Sequence, residues 1–271
     1  AEVKRIVVEV ATDCAVLNAD DPLVAAMSSR TRARVVTFGF SRHADVRATE
    51  LRLDELAKPS FLLHSKGNSV EVELAVHGAH QASNALAVAA VALELGMTLD
   101  EVGQALRAAE LVSHWRMEVR VRPDGVTVVN DAYNANPDSM LAALAALPSM
   151  RSAAGARRRT WAVLGEMAEL GAHSTSAHEA VGGAAASTGV ARLGVVGAAA
   201  AGIADGASRG MPASAIDRVA TVDDAIALLV ANLQPHDVVL VKASRSAQLQ
   251  RVALQLLAIE TGASAGAGAS A

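Results

Sequence analysis

"VTVVNDAYNANPDSM", Val126 to Met140, falls into three pieces. A short β-branched apolar run comes first, then a polar turn, then Pro137 at the head of a helical pattern. The run is too short for a buried helix and is bounded by turn residues, so it reads as a buried strand. Proline suits the first turn of a helix, and Asn136 before it is a natural N-cap. A capped strand-to-helix turn accounts for Asn136, Pro137 and Asp138. It leaves Asp131, Tyr133 and Asn134 unexplained. A carboxylate at a strand end can take a ribose hydroxyl or a magnesium-bound water, and a tyrosine beside it can flank a sugar or a base. On spacing alone the plain turn and the ligand site both stand.

Working outward, the same unit recurs. "MEVRV" (117–121), "TWAVLGEM" (160–167), "RLGVVG" (192–197), "DRVAT" (217–221) and "DVVLVKAS" (237–244) are further short apolar runs. Helical patterns start near Pro137, His173, Ala198, Val222 and Ala247. This alternation predicts an α/β fold, Rossmann-like, with a mostly parallel sheet and helices on both faces. In such a sheet ligands bind outside the carboxyl ends of the strands. Polar clusters follow "VTVV", "WAVL" and "DVVLV", so the topology allows them to meet on one rim.

Upstream the pattern differs. "VVTFGF" (35–40) predicts a buried strand, and "SVEVELAV" (69–76), alternating apolar and charged residues, a half-exposed one. Between them lies a polar stretch with several potential turns. Ala, Leu and Val fill nearly all of 85–95, a helix that Gly96 would end as C′. Thr98 would cap a second helix, with Glu101 completing a capping box. A boundary near Leu111–His114 therefore divides residues 1–111 from a second domain over 112–260. "PSMRSAAGARRR" (148–159) reads as a basic surface loop, and the low-complexity 261–271 as a disordered tail.

The 271 residues are 52% hydrophobic but only 2% aromatic, so Ala, Val and Leu must build the core. A net charge of −4 argues against nucleic acid as a partner. Single Cys14 excludes an internal disulfide framework, fits a reducing cytoplasm and reads as a small buried apolar residue. No apolar run reaches the roughly 18–20 residues of a membrane helix, so no membrane insertion is expected.

Other polar groups sit at places that favour anions. Trp115 and Arg116 precede a strand, and Arg suits forked contact with phosphate oxygens. The alternative is a surface arginine beside a packing tryptophan. His80 and Asn84 lie one turn apart at a helix start, where free backbone N–H groups favour polar ligands or simply need a cap. Lys242, Ser244 and Arg245 occupy a strand-to-helix turn, an anion pocket in outline. Glu166 and Glu169, with His173 and His178 following, lack any firm metal-ligand spacing, so no metal site is expected there. There is no GxxxxGK[ST] loop, no GxGxxG after a strand and no GxSxG elbow.

Taken together, "LNADDP", "GAHQASNALAVAAV", "HWRMEV", "NDAYNANPDSM", "VLGEMAELG" and "VLVKASRS" resemble, in order, the Mur ligase family. The resemblance runs from about Val16 to about Ile259. "DAYNANPDSM" and "LGEMAELG" point to the members that add D-alanyl-D-alanine. It implies that residues 1–111 are the last part of a central ATPase domain and that 112–260 are the C-terminal domain. The family's phosphate loop, its magnesium-binding residues and its UDP-binding domain would then lie before Ala1, and the chain alone would be inactive. The implied activity is ATP-dependent ligation of D-alanyl-D-alanine to a UDP-N-acetylmuramoyl-tripeptide through an acyl phosphate, in cytoplasmic peptidoglycan synthesis, by a monomer using ATP and Mg2+. Arg116 and Asp131 would be catalytic, holding phosphate and ribose. His80, Asn84, Tyr133 and Asn134 would line the nucleotide. Glu166, Glu169, Lys242, Ser244 and Arg245 would shape the dipeptide side. A ligase for another amino acid and a non-catalytic nucleotide- or partner-binding module are the alternatives. Gln81 stands where the family often has Asn, and Ala243 where it usually has Gly. Lys4 is the nearest candidate for the family's carboxylated lysine, in a segment that matches poorly.

Overall fold

β-Branched runs drive strand formation throughout the chain, but they are laid out differently in its two halves. The computed structural model describes residues 2–110, 113–151 and 158–263. It divides into two units: residues 1–54 with 58–110, and residues 55–57 with 111–271.

The first unit carries a five-stranded sheet in sequential order, β1 (Cys14–Asn18), β2 (Arg34–Gly39), β3 (Val46–Leu53), β4 (Pro59–Ser65) and β5 (Asn68–Glu73). The first three strands run parallel and the last three are antiparallel neighbours. Its helices are α1 (Glu2–Glu9), α2 (Pro22–Ala25), α3 (His80–Glu94) and α4 (Leu99–Ala108). Ala82, Ala85, Leu86, Ala89 and Ala90 of α3 pack on Val36, Val46, Ala48, Phe61 and Leu63 of the sheet. Small alanines let a helix lie close to a strand layer, which is how a core nearly free of aromatics stays dense. Gly96, at φ +98°, follows the end of α3 as expected. The Thr98–Glu101 capping box opens α4, with Thr98 N–H donating to Glu101 Oε2 at 2.8 Å.

The polar stretch between the two upstream strands is a correction. It contains β3 and β4 whole. Val46 and Ala48 are buried while Arg47 and Thr49, which alternate with them, are only partly so, a period of two that the many charges obscure. Strand β1 also went unread. Cys14 at its start is half-buried against the core rather than fully enclosed.

The second unit is the predicted βα alternation. Its strands are β6 (Glu118–Val121), β7 (Thr127–Asn130), β8 (Thr160–Leu164), β9 (Arg192–Val196), β10 (Ile216–Val219) and β11 (Val238–Lys242), in the order β10-β9-β8-β11-β7-β6. All neighbours are parallel except β6 and β7. Helices α5 (Pro137–Arg151), α6 (Ser174–Ser187) and α7 (Ala201–Ala207) form a layer on one face; α8 (Val222–Asn232) and α9 (Gln250–Ala263) cover the other. β7, β8 and β11 are almost wholly buried, which explains their unbroken apolar runs. Helix α9 extends to Ala263, past the expected start of the tail at 261. Residues 264–271 and 152–157, the heart of the expected basic loop, lie outside the described residues.

The chain leaves β7 and returns in β8, and β11 is inserted between them. The strand order reverses there, and the carboxyl ends of β7, β11 and β8 stand side by side. A doubly wound sheet offers a ligand crevice at such a switch point.

Candidate functional site

Each of those three strand ends releases a polar loop, and the loops are bonded to one another. Lys242, the last residue of β11, is 2% exposed. Its Nζ donates to Asp131 Oδ2 at 2.6 Å and to Asn134 O at 2.9 Å, with Asp131 O at 3.4 Å. Asp131 Oδ1 accepts Met117 N–H at 2.9 Å. One carboxylate therefore joins the end of β7 to β11 and to the turn that carries Trp115 and Arg116. Tyr133 N–H closes the same turn by donating to Trp115 O at 3.0 Å.

Above this pair the surface is aromatic and cationic. The Arg116 guanidinium lies 4.2 Å from the Tyr133 ring centre. Arg245 lies 5.5 Å from Tyr133 and 5.8 Å from Trp115. Arg116, Asn134 and Arg245 are exposed and Tyr133 is half-buried. Among the described residues neither arginine has a carboxylate partner, so both remain open to an anion.

The β8 loop is stitched to β11. Gly165 N–H donates to Lys242 O at 3.0 Å and Ser244 N–H to Glu166 O at 2.8 Å. Ser244 Oγ accepts Ala168 N–H at 2.9 Å. Ser244 is 4% exposed, so like Lys242 it works inside the framework rather than at its surface. Glu166 is half-buried and Glu169 exposed, and Glu169 takes φ +64°. Ala243 is fully buried and is not among the left-handed residues, so the alanine in place of the usual glycine is accommodated without backbone strain.

Thus eight residues singled out in the sequence, Asp131, Tyr133, Asn134, Glu166, Glu169, Lys242, Ser244 and Arg245, stand at the carboxyl ends of β7, β8 and β11, and a ninth, Arg116, lies in the turn before β6 that Asp131 and Tyr133 bond to the β7 loop. His80 and Asn84 belong to the other unit. His80 opens α3, and Asn84 is exposed and donates from Nδ2 to Gln81 Oε1 at 3.0 Å. The side chain of Lys4 lies outside the described residues. One contributor was not singled out in the sequence, Met117, through its backbone, and His178, noted there only as lacking metal-ligand spacing, contributes through its ring. A buried-strand lysine demands a counter-charge, and that was the available signal for the Asp131–Lys242 pair. Among the described residues no three His, Cys, Asp or Glu side chains gather as a metal-binding group, so no magnesium ligand set is assigned to them.

The strand order and the parallel pairing place the second unit in the class of Rossmann-like α/β domains. The chain belongs to the Mur ligase family: residues 115–245 match the Mur ligase glutamate ligase domain and residues 1–92 the Mur ligase middle domain. It is 49% identical over 261 residues to the UDP-N-acetylmuramoyl-tripeptide–D-alanyl-D-alanine ligase of Mycobacterium tuberculosis, covering 91% of this chain and 51% of that protein. The Escherichia coli ligase of the same name is 34% identical over 195 residues, covering 71% and 40%. Among solved structures, MurF from Acinetobacter baumannii superposes with a TM-score of 0.78 at 26% identity, covering 90% of this chain and 51% of that one. MurF from Thermotoga maritima in complex with ADP matches in fold, with a TM-score of 0.78 at 24% identity over 96% and 56%. The chain spans about half the length of the curated relatives it matches.

Proposed function

We propose that this chain is part of an ATP-dependent ligase that joins D-alanyl-D-alanine to a UDP-N-acetylmuramoyl-tripeptide in cytoplasmic peptidoglycan precursor synthesis. The observation that carries the reading is the pair of uncompensated arginines, Arg116 and Arg245, on a rim whose loops are locked by the Asp131–Lys242 pair. Relatives named for this reaction supply the substrates. In it the tripeptide carboxylate takes the γ-phosphoryl group of ATP, leaving ADP. The dipeptide amine then attacks the acyl carbon, loses a proton, and inorganic phosphate departs as the amide forms.

Catalysis of this kind rests on positioning and on stabilising charge that develops on oxygen. Arg116 suits phosphoryl oxygens, because a guanidinium offers paired N–H donors. Its plane is held by the Tyr133 ring, which fixes its direction. Asp131 spends one acceptor site of each oxygen inside the protein and keeps others for a ribose hydroxyl. Asn134 extends that edge. On the dipeptide side Arg245 takes the carboxylate, while Glu166 and Glu169 face the ammonium. Lys242 and Ser244 hold these groups in place. Magnesium would neutralise the transferred phosphoryl charge when bound with ATP.

The test is calorimetry of the 271-residue chain with ADP, with D-alanyl-D-alanine, and with the dipeptide in the presence of ADP. Dipeptide binding, abolished by Arg245→Ala, supports the reading. Absence of dipeptide binding at millimolar concentration, with and without nucleotide, sinks it.

A further inference from the structure

His178 is buried in α6 at 1% exposure, eleven residues from the loop it serves. Its Nδ1 lies 2.7 Å from Ser174 O. A carbonyl oxygen can only accept, so Nδ1 carries the proton, and the Ser174 hydroxyl at 3.3 Å makes a weaker contact with it. In the neutral ring Nε2 is then bare. It receives Met167 N–H at 2.9 Å.

That bond completes a series. Glu166 gives its carbonyl to Ser244 N–H, Met167 gives its N–H to His178, and Ala168 gives its N–H to Ser244 Oγ. Three successive residues of the β8 loop are fixed, two by the β11 loop and one by α6. Immediately beyond them Glu169 sits at φ +64°, a conformation a glutamate keeps only when its surroundings over-determine it.

We propose that His178 is a positioning residue for the amine substrate, setting the backbone that aims Glu166 and Glu169 at the ammonium of a zwitterionic dipeptide. This rests on the ligase reading above. The imidazole acts as a neutral hydrogen-bond acceptor of fixed tautomer and touches no substrate atom.

The experiment compares wild type, His178→Gln and His178→Leu in the 271-residue chain. A glutamine carboxamide oxygen reaches the place of Nε2 and still accepts Met167 N–H; leucine cannot. Calorimetry follows D-alanyl-D-alanine and ADP separately, and amide exchange at Met167 is followed by NMR. Leucine is expected to weaken the dipeptide at least about tenfold, to leave ADP within about twofold, and to speed Met167 exchange. Glutamine is expected to restore the dipeptide to within about threefold. If leucine does not fold, His178→Asn replaces it, since its shorter amide stops short of Met167. Equal dipeptide affinity in wild type and the leucine or asparagine variant overturns the His178 role. So does parallel loss of both ligands that glutamine fails to rescue. A wild-type chain that binds no dipeptide overturns the ligase reading instead, and this role with it.

Discussion

Lys242 Nζ and Asp131 Oδ2 are 2.6 Å apart, although 111 residues separate them in the chain. The ammonium is almost wholly enclosed and the carboxylate nearly so, with side-chain exposures of 2% and 13%. Neither charge can be removed alone without stranding the other. Lys242→Met keeps the aliphatic stem and leaves Asp131 buried beside only one donor, Met117 N–H. Breaking such a pair from one side costs about 3–5 kcal/mol, whereas replacing both partners costs much less. Urea midpoints of Lys242→Met and of Lys242→Met/Asp131→Asn are expected to show the double variant as the more stable. The opposite order would mean that the pair does not hold the rim.

Arg116 lies over Tyr133 and Arg245 stands near the same ring, so the aromatic face orients both cations. At an exposed position such a contact contributes about 0.5–1 kcal/mol. Tyr133→Leu is therefore expected to weaken ADP about two- to fivefold in calorimetry, and Tyr133→Phe, which keeps the ring, to leave it unchanged. An equal loss in both variants would assign the effect to the hydroxyl.

Helices α6 and α7 meet backbone to backbone. A Cβ added at Gly182 would lie 1.9 Å from Ile203 O, and one at Gly206 1.9 Å from Glu179 O. A main-chain carbonyl in a helix cannot swing aside, so the helices must separate. Gly182→Ala and Gly206→Ala are each expected to cost about 1–3 kcal/mol or more in urea unfolding. Gly183, one residue along and exposed, meets nothing within 4 Å. Gly183→Ala is expected to stabilise by about 0.5–1 kcal/mol through helix propensity alone. Loss of stability there would show that the helix resists alanine generally and not at the two contacts.

The second unit was legible because burial on both faces of β7, β8 and β11 writes each strand as an unbroken apolar run, and polar residues then mark the strand ends. The first unit was less so. In β3 the charges of Arg47, Glu50 and Arg52 interrupt the sequence while Val46 and Ala48 alone face the core. Candidate site residues were chosen from motif position. Their division of labour could not, because Lys242 and Arg245 look alike in "VKASR" and differ only in burial. The role of His178 was hidden for a related reason: its partner is a backbone N–H, which every residue but proline possesses.

His64 joins these themes through pH. It is cross-strand neighbour to Arg47, and its Nε2 lies 2.7 Å from Thr49 Oγ1. Burial, and secondarily the Arg47 charge, holds its pKa below the ordinary 6.5, while Glu50 opposes them. Between the folded value and 6.5 the unfolded chain binds a proton that the folded chain does not. Stability at this site therefore rises with pH across that window and is lost as pH falls through it. Arg47→Gln removes the second cause and leaves the first. The NMR titration midpoint of His64 is expected to rise toward 6.5 without reaching it, and the pH dependence of the urea midpoint to flatten by the part that Arg47 supplied. A midpoint that stays put would mean that burial alone sets the titration, and one that falls would mean that Arg47 stabilises the charged ring through contacts it does not make here.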